Sequence, residues 1–177
     1  FFLIREGIPT LGEVKLSNLL SARWYPIENY FGILPLITGS LVVTIGAMLI
    51  AFPLGIGTAV YISEIAPRWM REILKPLVEL LGGLPSVVLG FLGILLVSPF
   101  LRVFLDLPTG LTAFTGSLLL GGIAVPTIVS VAEDALDAVP RSYREGAWAL
   151  GATRWQTIWR VTLPAAKSGV LTAVMLG

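Results

Sequence analysis

The stretch Glu145-Gly146-Ala147-Trp148-Ala149-Leu150-Gly151-Ala152-Thr153-Arg154-Trp155-Gln156-Thr157-Ile158-Trp159-Arg160-Val161-Thr162-Leu163-Pro164 stands between two apolar blocks. It is polar and carries net positive charge, which makes it a poor partner for lipid and suits it to being gripped by a second protein at a membrane face. Pro140 stops the helix that carries Glu133, Asp134 and Asp137. Arg141 to Leu150 then reads as a short helix, which Gly151 can close in the left-handed conformation. Thr153 can cap the next helix. There Trp155, Ile158, Trp159 and Thr162 fall at i, i+3, i+4 and i+7, one mostly apolar stripe, and Pro164 is expected to end it. The expectation is a helix–turn–helix with an apolar ridge and an arginine-rich back. A generic amphipathic hairpin could equally pack on its own bundle.

The surrounding blocks set the class. The chain has 177 residues, a mean hydropathy of +0.88, 55% hydrophobic residues and only 13% charged ones, outside the range of ordinary soluble domains. Charge is absent from residues 29–63, 80–101 and 107–132. Each run exceeds the roughly 20 residues that a helix needs to cross a bilayer. The fold class expected is therefore all-α, a polytopic helical membrane bundle. Its spans are expected at about 33–62, 77–101 and 110–132, with a further one starting at 165–177 and a cytoplasmic segment at 133–164. Residues 1–30 read as the end of a preceding transmembrane helix (Phe1 to Ile4) and an external loop with Pro9, Gly12 and Pro26. Phe at position 1 and the uncharged last stretch from Ser168 to Gly177, which stops abruptly, read as a fragment of a longer membrane protein. No signal peptide is legible.

The spans carry breaks. Pro53 precedes Gly55 and Gly57, Pro85 follows Gly82 and Gly83, and Pro126 follows Gly121 and Gly122. Proline removes a backbone donor and kinks a helix, and in a membrane such breaks persist where neighbouring helices or a polar cavity satisfy the freed groups. Gly82, Ser86 and Gly90 form a row through which another helix could approach. Each feature alone is also explained by the general frequency of Gly and Pro in membrane helices. Between Pro67 and Leu81 the charges at Arg68, Arg71, Glu72, Lys75 and Glu79 share one helical face, and Trp69, Met70, Ile73, Leu74 and Leu77 fill the other. This predicts an interfacial helix leading into the second span, with weak pairs Arg68–Glu72 and Lys75–Glu79.

Orientation follows the basic residues. Arg68, Arg71, Lys75, Arg141, Arg144, Arg154 and Arg160 share one side by parity, against Arg5, Lys15, Arg23 and Arg102 on the other, which favours the first set as cytoplasmic. A net charge of +1 speaks against a nucleic-acid partner. The chain has no Cys and no His, so it offers no thiolate metal site and lacks the commonest acid/base group. No Gly-x-x-x-x-Gly-Lys-[Ser/Thr] loop is present. No catalytic residue, metal or cofactor is assigned. An intramembrane enzyme would be left with Ser–Lys or Asp pairs such as Asp134 and Asp137, and a membrane scaffold without a transport role is the other rival.

The spacing Glu145-x-Ala147, Gly151, then Val161-x-Leu163-Pro164 resembles the EAA signature of ABC importer permeases, with Gly146 in place of the usual second alanine. Phe31-Gly32-Ile33-Leu34-Pro35, Pro53-Leu54-Gly55 with Ala59-Val60-Tyr61-Ile62-Ser63-Glu64, Gly83-Leu84-Pro85-Ser86-Val87-Val88, Pro126-Thr127-Ile128-Val129-Ser130 and Val139-Pro140 are similar to the PstC-type permeases of phosphate importers. The likeness covers nearly the whole chain from Phe31. It implies a MetI-like transmembrane bundle in the cell membrane. The implied partners are a homologous second permease subunit, a cytoplasmic ATP-binding subunit dimer that hydrolyses the ATP, and an extracytoplasmic phosphate-binding protein. It also implies a coupling role for Arg144, Glu145, Gly146, Ala147, Gly151, Trp155, Trp159, Leu163 and Pro164, which would dock in a groove of the ATPase. Permeases for sulfate, molybdate or phosphonate are the nearest alternatives. In the family the span after Leu176-Gly177 carries an Arg and a Glu, its natural candidates for the anion's path. Within the charge-free runs, Thr44, Ser86, Thr127 and Ser130 are the path candidates, although bonding of each hydroxyl to its own helix backbone is the commoner situation.

Overall fold

The computed structural model describes residues 4–5, 20–28 and 30–177. The expected helix end at Phe1–Ile4 and the loop around Pro9, Gly12 and Lys15 fall outside the described residues, apart from Ile4 and Arg5. Two compact units divide the chain, residues 1–44 and 45–177.

In the first unit, strands β1 (Trp24–Tyr25) and β2 (Tyr30–Phe31) pair antiparallel around a 3-10 turn at Pro26–Glu28. Helix α1 (Leu34–Val60) starts here. Its early hydroxyls are satisfied locally: Thr38 Oγ1 donates to the Leu34 carbonyl at 2.9 Å and Ser40 Oγ to the Ile37 carbonyl at 2.9 Å.

The second unit is built around α5 (Ala113–Asp137). Thr112 caps it, its hydroxyl accepting from the Thr115 N–H at 3.2 Å. The later part of α1 runs parallel to α5, with Gly46 meeting Ser117 and Gly55 meeting Ile128. A Cβ on Gly55 would come within 2.6 Å of Ile128 Cγ2, so the close approach requires glycine. Helices α2 (Arg68–Gly82) and α9 (Lys167–Leu176) run antiparallel to α5: Arg71 meets Asp137 and Gly82 meets Pro126, while Gly169 meets Ala135 and Gly177 meets Ile128. Ile62, Ile128, Ala132, Leu136, Ile158 and Ala173 are buried between these helices.

Pro53 and Pro126 are accommodated inside continuous helices. The second break behaves differently. Gly83-Leu84-Pro85 ends α2, and the chain restarts as α3 (Ser86–Leu92), a π-helical turn (Gly93–Val97) and α4 (Ser98–Phe104). The second apolar span is thus Ser86–Phe104; with Leu34–Ile65 and Ala113–Asp137 it makes three helices, among the described residues, long and apolar enough to cross a membrane. Gly82, Ser86 and Gly90 consequently do not line one helix. Within this chain a Cβ on Gly82 would meet Pro126 at 3.4 Å while one on Gly90 would meet nothing within 4 Å, so the expected row does not form one continuous face.

Helix α2 also departs from expectation. Arg71 and Lys75 turn inward together with Leu74 and Val78, while Arg68, Glu72 and Glu79 are exposed, as are Trp69, Ile73, Leu77, Leu80 and Leu81. Arg71 and Lys75 pair with α5, not with the neighbouring glutamates of their own helix. An apolar outward face is favourable beside lipid, and opposite charges on a packed neighbour replace water as partners for the inward one.

Candidate functional site

The hairpin from Pro140 to Pro164 forms as local chemistry dictates. Helix α6 (Arg141–Ala149) follows Pro140, and Gly151 adopts φ +82°, the left-handed conformation in which a side chain is strained. Thr153 caps α7 (Arg154–Thr157) through a reciprocal box: its hydroxyl accepts from the Gln156 N–H at 3.3 Å, and Gln156 Oε1 accepts from the Thr153 N–H at 2.9 Å. Pro164 does not end the helix. The chain widens into a π-helical turn (Ile158–Thr162), passes through α8 (Leu163–Ala165) and turns only at Ala166. The Leu163 N–H donates to the Ile158 carbonyl. This wider spacing, five residues instead of four, absorbs the donor missing at Pro164.

The predicted apolar stripe splits along its length. Ile158 and Thr162 turn into the bundle, beside buried Thr157. Trp155 and Trp159 stay exposed, their rings edge to face at 5.6 Å. Trp148 and Leu150 are exposed as well, so the hairpin presents an aromatic outer surface. Glu145, Gly146, Gly151 and Pro164 are exposed, and Ala147 and Leu163 are half-buried. A Cβ at Gly146 would meet nothing within 4 Å, so glycine there costs the packing nothing.

Arg144 is turned inward. Its side chain is only 13% exposed and faces Glu64, which is 9% exposed. Nε and Nη2 donate to Glu64 Oε1 at 3.0 and 2.6 Å. Nη1 donates to the Val139 carbonyl at 2.7 Å and Nη2 to the Leu136 carbonyl at 2.9 Å. One guanidinium therefore binds the end of the first span, a π-helical turn at Tyr61–Ile65, to the end of α5.

A second cluster adjoins it. Arg71 pairs with Glu133 at 3.0 Å and with Asp137, and Ser63 Oγ donates to Asp137 at 2.7 Å. Lys75 pairs with Glu133 at 2.6 Å and with Asp134 at 3.1 Å. The Lys75 ammonium is held above its ordinary range, first by its bond to Glu133, against a burial that lowers it, and then by Asp134. For Arg71, burial works against the charge and is the largest influence. The bonds and charges of Glu133 and Asp137 together outweigh it, and its pKa is raised. A cleft of about 460 Å³ opens over both clusters, lined by residues that include Ser63, Arg71, Asp137, Arg141, Glu145 and Trp148. The sequence marks this joint only through matched spacing, Arg71 and Lys75 opposite Glu133 and Asp137, each pair four residues apart.

Of the four candidate path hydroxyls, Thr44, Ser86 and Thr127 are exposed, on α1, α3 and α5 respectively. Ser130 is half-buried and lines a small cavity with Lys75, Glu79 and Glu133.

Residues 51–177 match the family described as the binding-protein-dependent transport system inner membrane component. The probable ABC transporter permease protein YqgH of Bacillus subtilis is 47% identical over 168 residues, covering 94% of this chain and 54% of the relative. The phosphate transport system permease protein PstC of Xylella fastidiosa is 33% identical over 181 residues, covering 92% and 56%. PstC of Mesorhizobium japonicum is 34% identical over 190 residues, covering 97% and 57%. The chain spans about half the length of the curated relatives it matches. A chain of the inward-facing MetNI methionine ABC transporter shares the fold, with a TM-score of 0.61 and 24% identity over 82% of this chain and 65% of that one.

Proposed function

The chain belongs to the family of binding-protein-dependent transport system inner membrane components, the permeases of ABC importers, and from that premise we propose that it works as a permease subunit for inorganic phosphate. Its exposed hairpin is the docking surface for a cytoplasmic ATP-binding subunit dimer. A homologous second permease completes the membrane pathway, and an extracytoplasmic binding protein delivers the anion. The protein resides in the cell membrane as a multi-pass subunit and hydrolyses no nucleotide itself.

The observation that carries the docking role is the two-sided hairpin. Trp155 and Trp159 face outward while Arg144 fastens the hairpin's first helix to Glu64 at the end of the first span. A push on the tryptophans is thus delivered to α1 and, through the Leu136 and Val139 carbonyls, to α5. The neighbouring Arg71 and Lys75 pairs carry α2 along. Phosphate is supported by the relatives called phosphate transport permeases. Selectivity would reside mainly in the binding protein and the partner permease.

The test is uptake of labelled phosphate by cells that lack their own phosphate importers and express the whole transporter. Trp155→Ala/Trp159→Ala leaves the fold intact because both rings are exposed. A tryptophan anchor contributes about 2 kcal/mol or more to docking, roughly thirtyfold in affinity, so uptake should collapse at unchanged membrane levels. Wild-type uptake by the double variant would overturn the docking role. Uptake of sulfate, molybdate or phosphonate in place of phosphate would overturn the substrate.

A further inference from the structure

Immediately before the first span the chain builds an aromatic hairpin that the proposed transport role leaves unused. β1 and β2 place Trp24 opposite Phe31 and Tyr25 opposite Tyr30. The Trp24 and Phe31 rings meet edge to face at 6.2 Å, and the Arg23 guanidinium lies 5.9 Å from the centre of the Tyr30 ring. Outward, Trp24 is 41% exposed, Tyr25 61%, and Ile27 at the tip is fully exposed at 100%. Only Gly32 and Ile33 separate Phe31 from Leu34, where the span begins. The Gly32 N–H donates to the Arg23 carbonyl at 2.8 Å, and a Cβ on Gly32 would come within 2.6 Å of that oxygen. The hairpin is therefore strapped to the point where the chain enters the span.

That point has a defined depth. The span Leu34–Ile65 holds 32 residues, about 48 Å of helix at roughly 1.5 Å per residue. A bilayer with its headgroups is about 40–45 Å thick, and membrane helices tilt by about 20°, which brings the projected length to about 45 Å. The helix end emerges at headgroup level, the zone in which Trp and Tyr rings concentrate because one part of each is apolar and the other polar.

We propose that the Trp24–Phe31 hairpin is a lipid anchor. It lies on the bilayer surface with Trp24, Tyr25 and Tyr30 among the headgroups, Ile27 dipping into the upper acyl chains and Arg23 beside the lipid phosphates. It fixes the height of the first span in the membrane, whatever the transported substrate.

These 177 residues contain no cysteine, so a single spin label at Ile27→Cys can be read in the full-length protein once any cysteine outside them is replaced. The exposed tip tolerates the label. In phosphatidylcholine/phosphatidylglycerol bilayer discs, collisions with membrane-soluble oxygen should exceed those with a water-soluble nickel chelate severalfold, approaching the ratio at a reference label on Leu41→Cys in the span. Nickel collisions that dominate at Ile27 would overturn the anchor. If they dominate and then fall when the extracytoplasmic binding protein is added, the hairpin is a protein-docking surface instead.

Discussion

Arg144 holds a nearly buried carboxylate and two helix-end carbonyls with one side chain. Its planar fork suits that task and a lysine ammonium does not. Removing one member of a buried ion pair strands the other, at about 3–5 kcal/mol, whereas replacing both by apolar groups is far milder. Arg144→Met should therefore lower the thermal midpoint of the purified protein sharply, and Arg144→Met/Glu64→Leu should recover much of the loss. A double variant as unstable as the sum of its parts would show that the two side chains do not act as a pair. The same contrast separates architecture from docking. Arg144→Met should weaken the isolated subunit itself, while the tryptophan substitutions should spare it and affect only the assembled transporter.

At the scale of the helices, glycine positions tell packed faces from open ones. Gly55 sits against Ile128, and a Cβ there would also approach Ile128 Cβ to 2.9 Å. Gly57, two residues on, meets nothing within 4 Å. Gly55→Ala should separate α1 from α5 at about 1–3 kcal/mol, the usual cost of overpacking, while Gly57→Ala should be neutral or slightly stabilising through the unfolded chain. Thermal midpoints of the two purified variants decide this, and equal midpoints would mean that the two helices do not touch at Gly55. The hairpin was legible in the sequence because its rules are local. Gly151, Thr153 and Pro140 act within a few residues of where they stand, and all three do what turn and cap chemistry requires. Pro164 misled because a π-helical turn upstream supplied the slack. Helix α2 misled at Arg71 and Lys75, which read like part of a solvated face until α5 is placed beside them. The resemblance implies a coupling role for Arg144 but not its partner Glu64, 80 residues away in the sequence, a separation that no local pattern bridges.

Across the whole second unit, charge pairs join elements that the apolar core also packs. Arg71 and Lys75 meet Glu133 between them, a carboxylate only 2% exposed, with Asp134 and Asp137 at the rim. Lys75 is raised in the folded protein, first by its bond to Glu133. A base raised on folding contributes stability that is fully present below its unfolded pKa, about 10.4 for lysine, and lost as pH climbs through the higher folded value. Lys75→Met should thus be less stable than the parent by a constant margin from neutral pH to about 10, and the margin should shrink only above that. Thermal midpoints of both proteins from pH 7 to 11 test it. A margin that already closes near pH 8 would mean that the ammonium is not held by Glu133. A constant margin up to about pH 10 would mean that Lys75 ties α2 to α5 throughout that range.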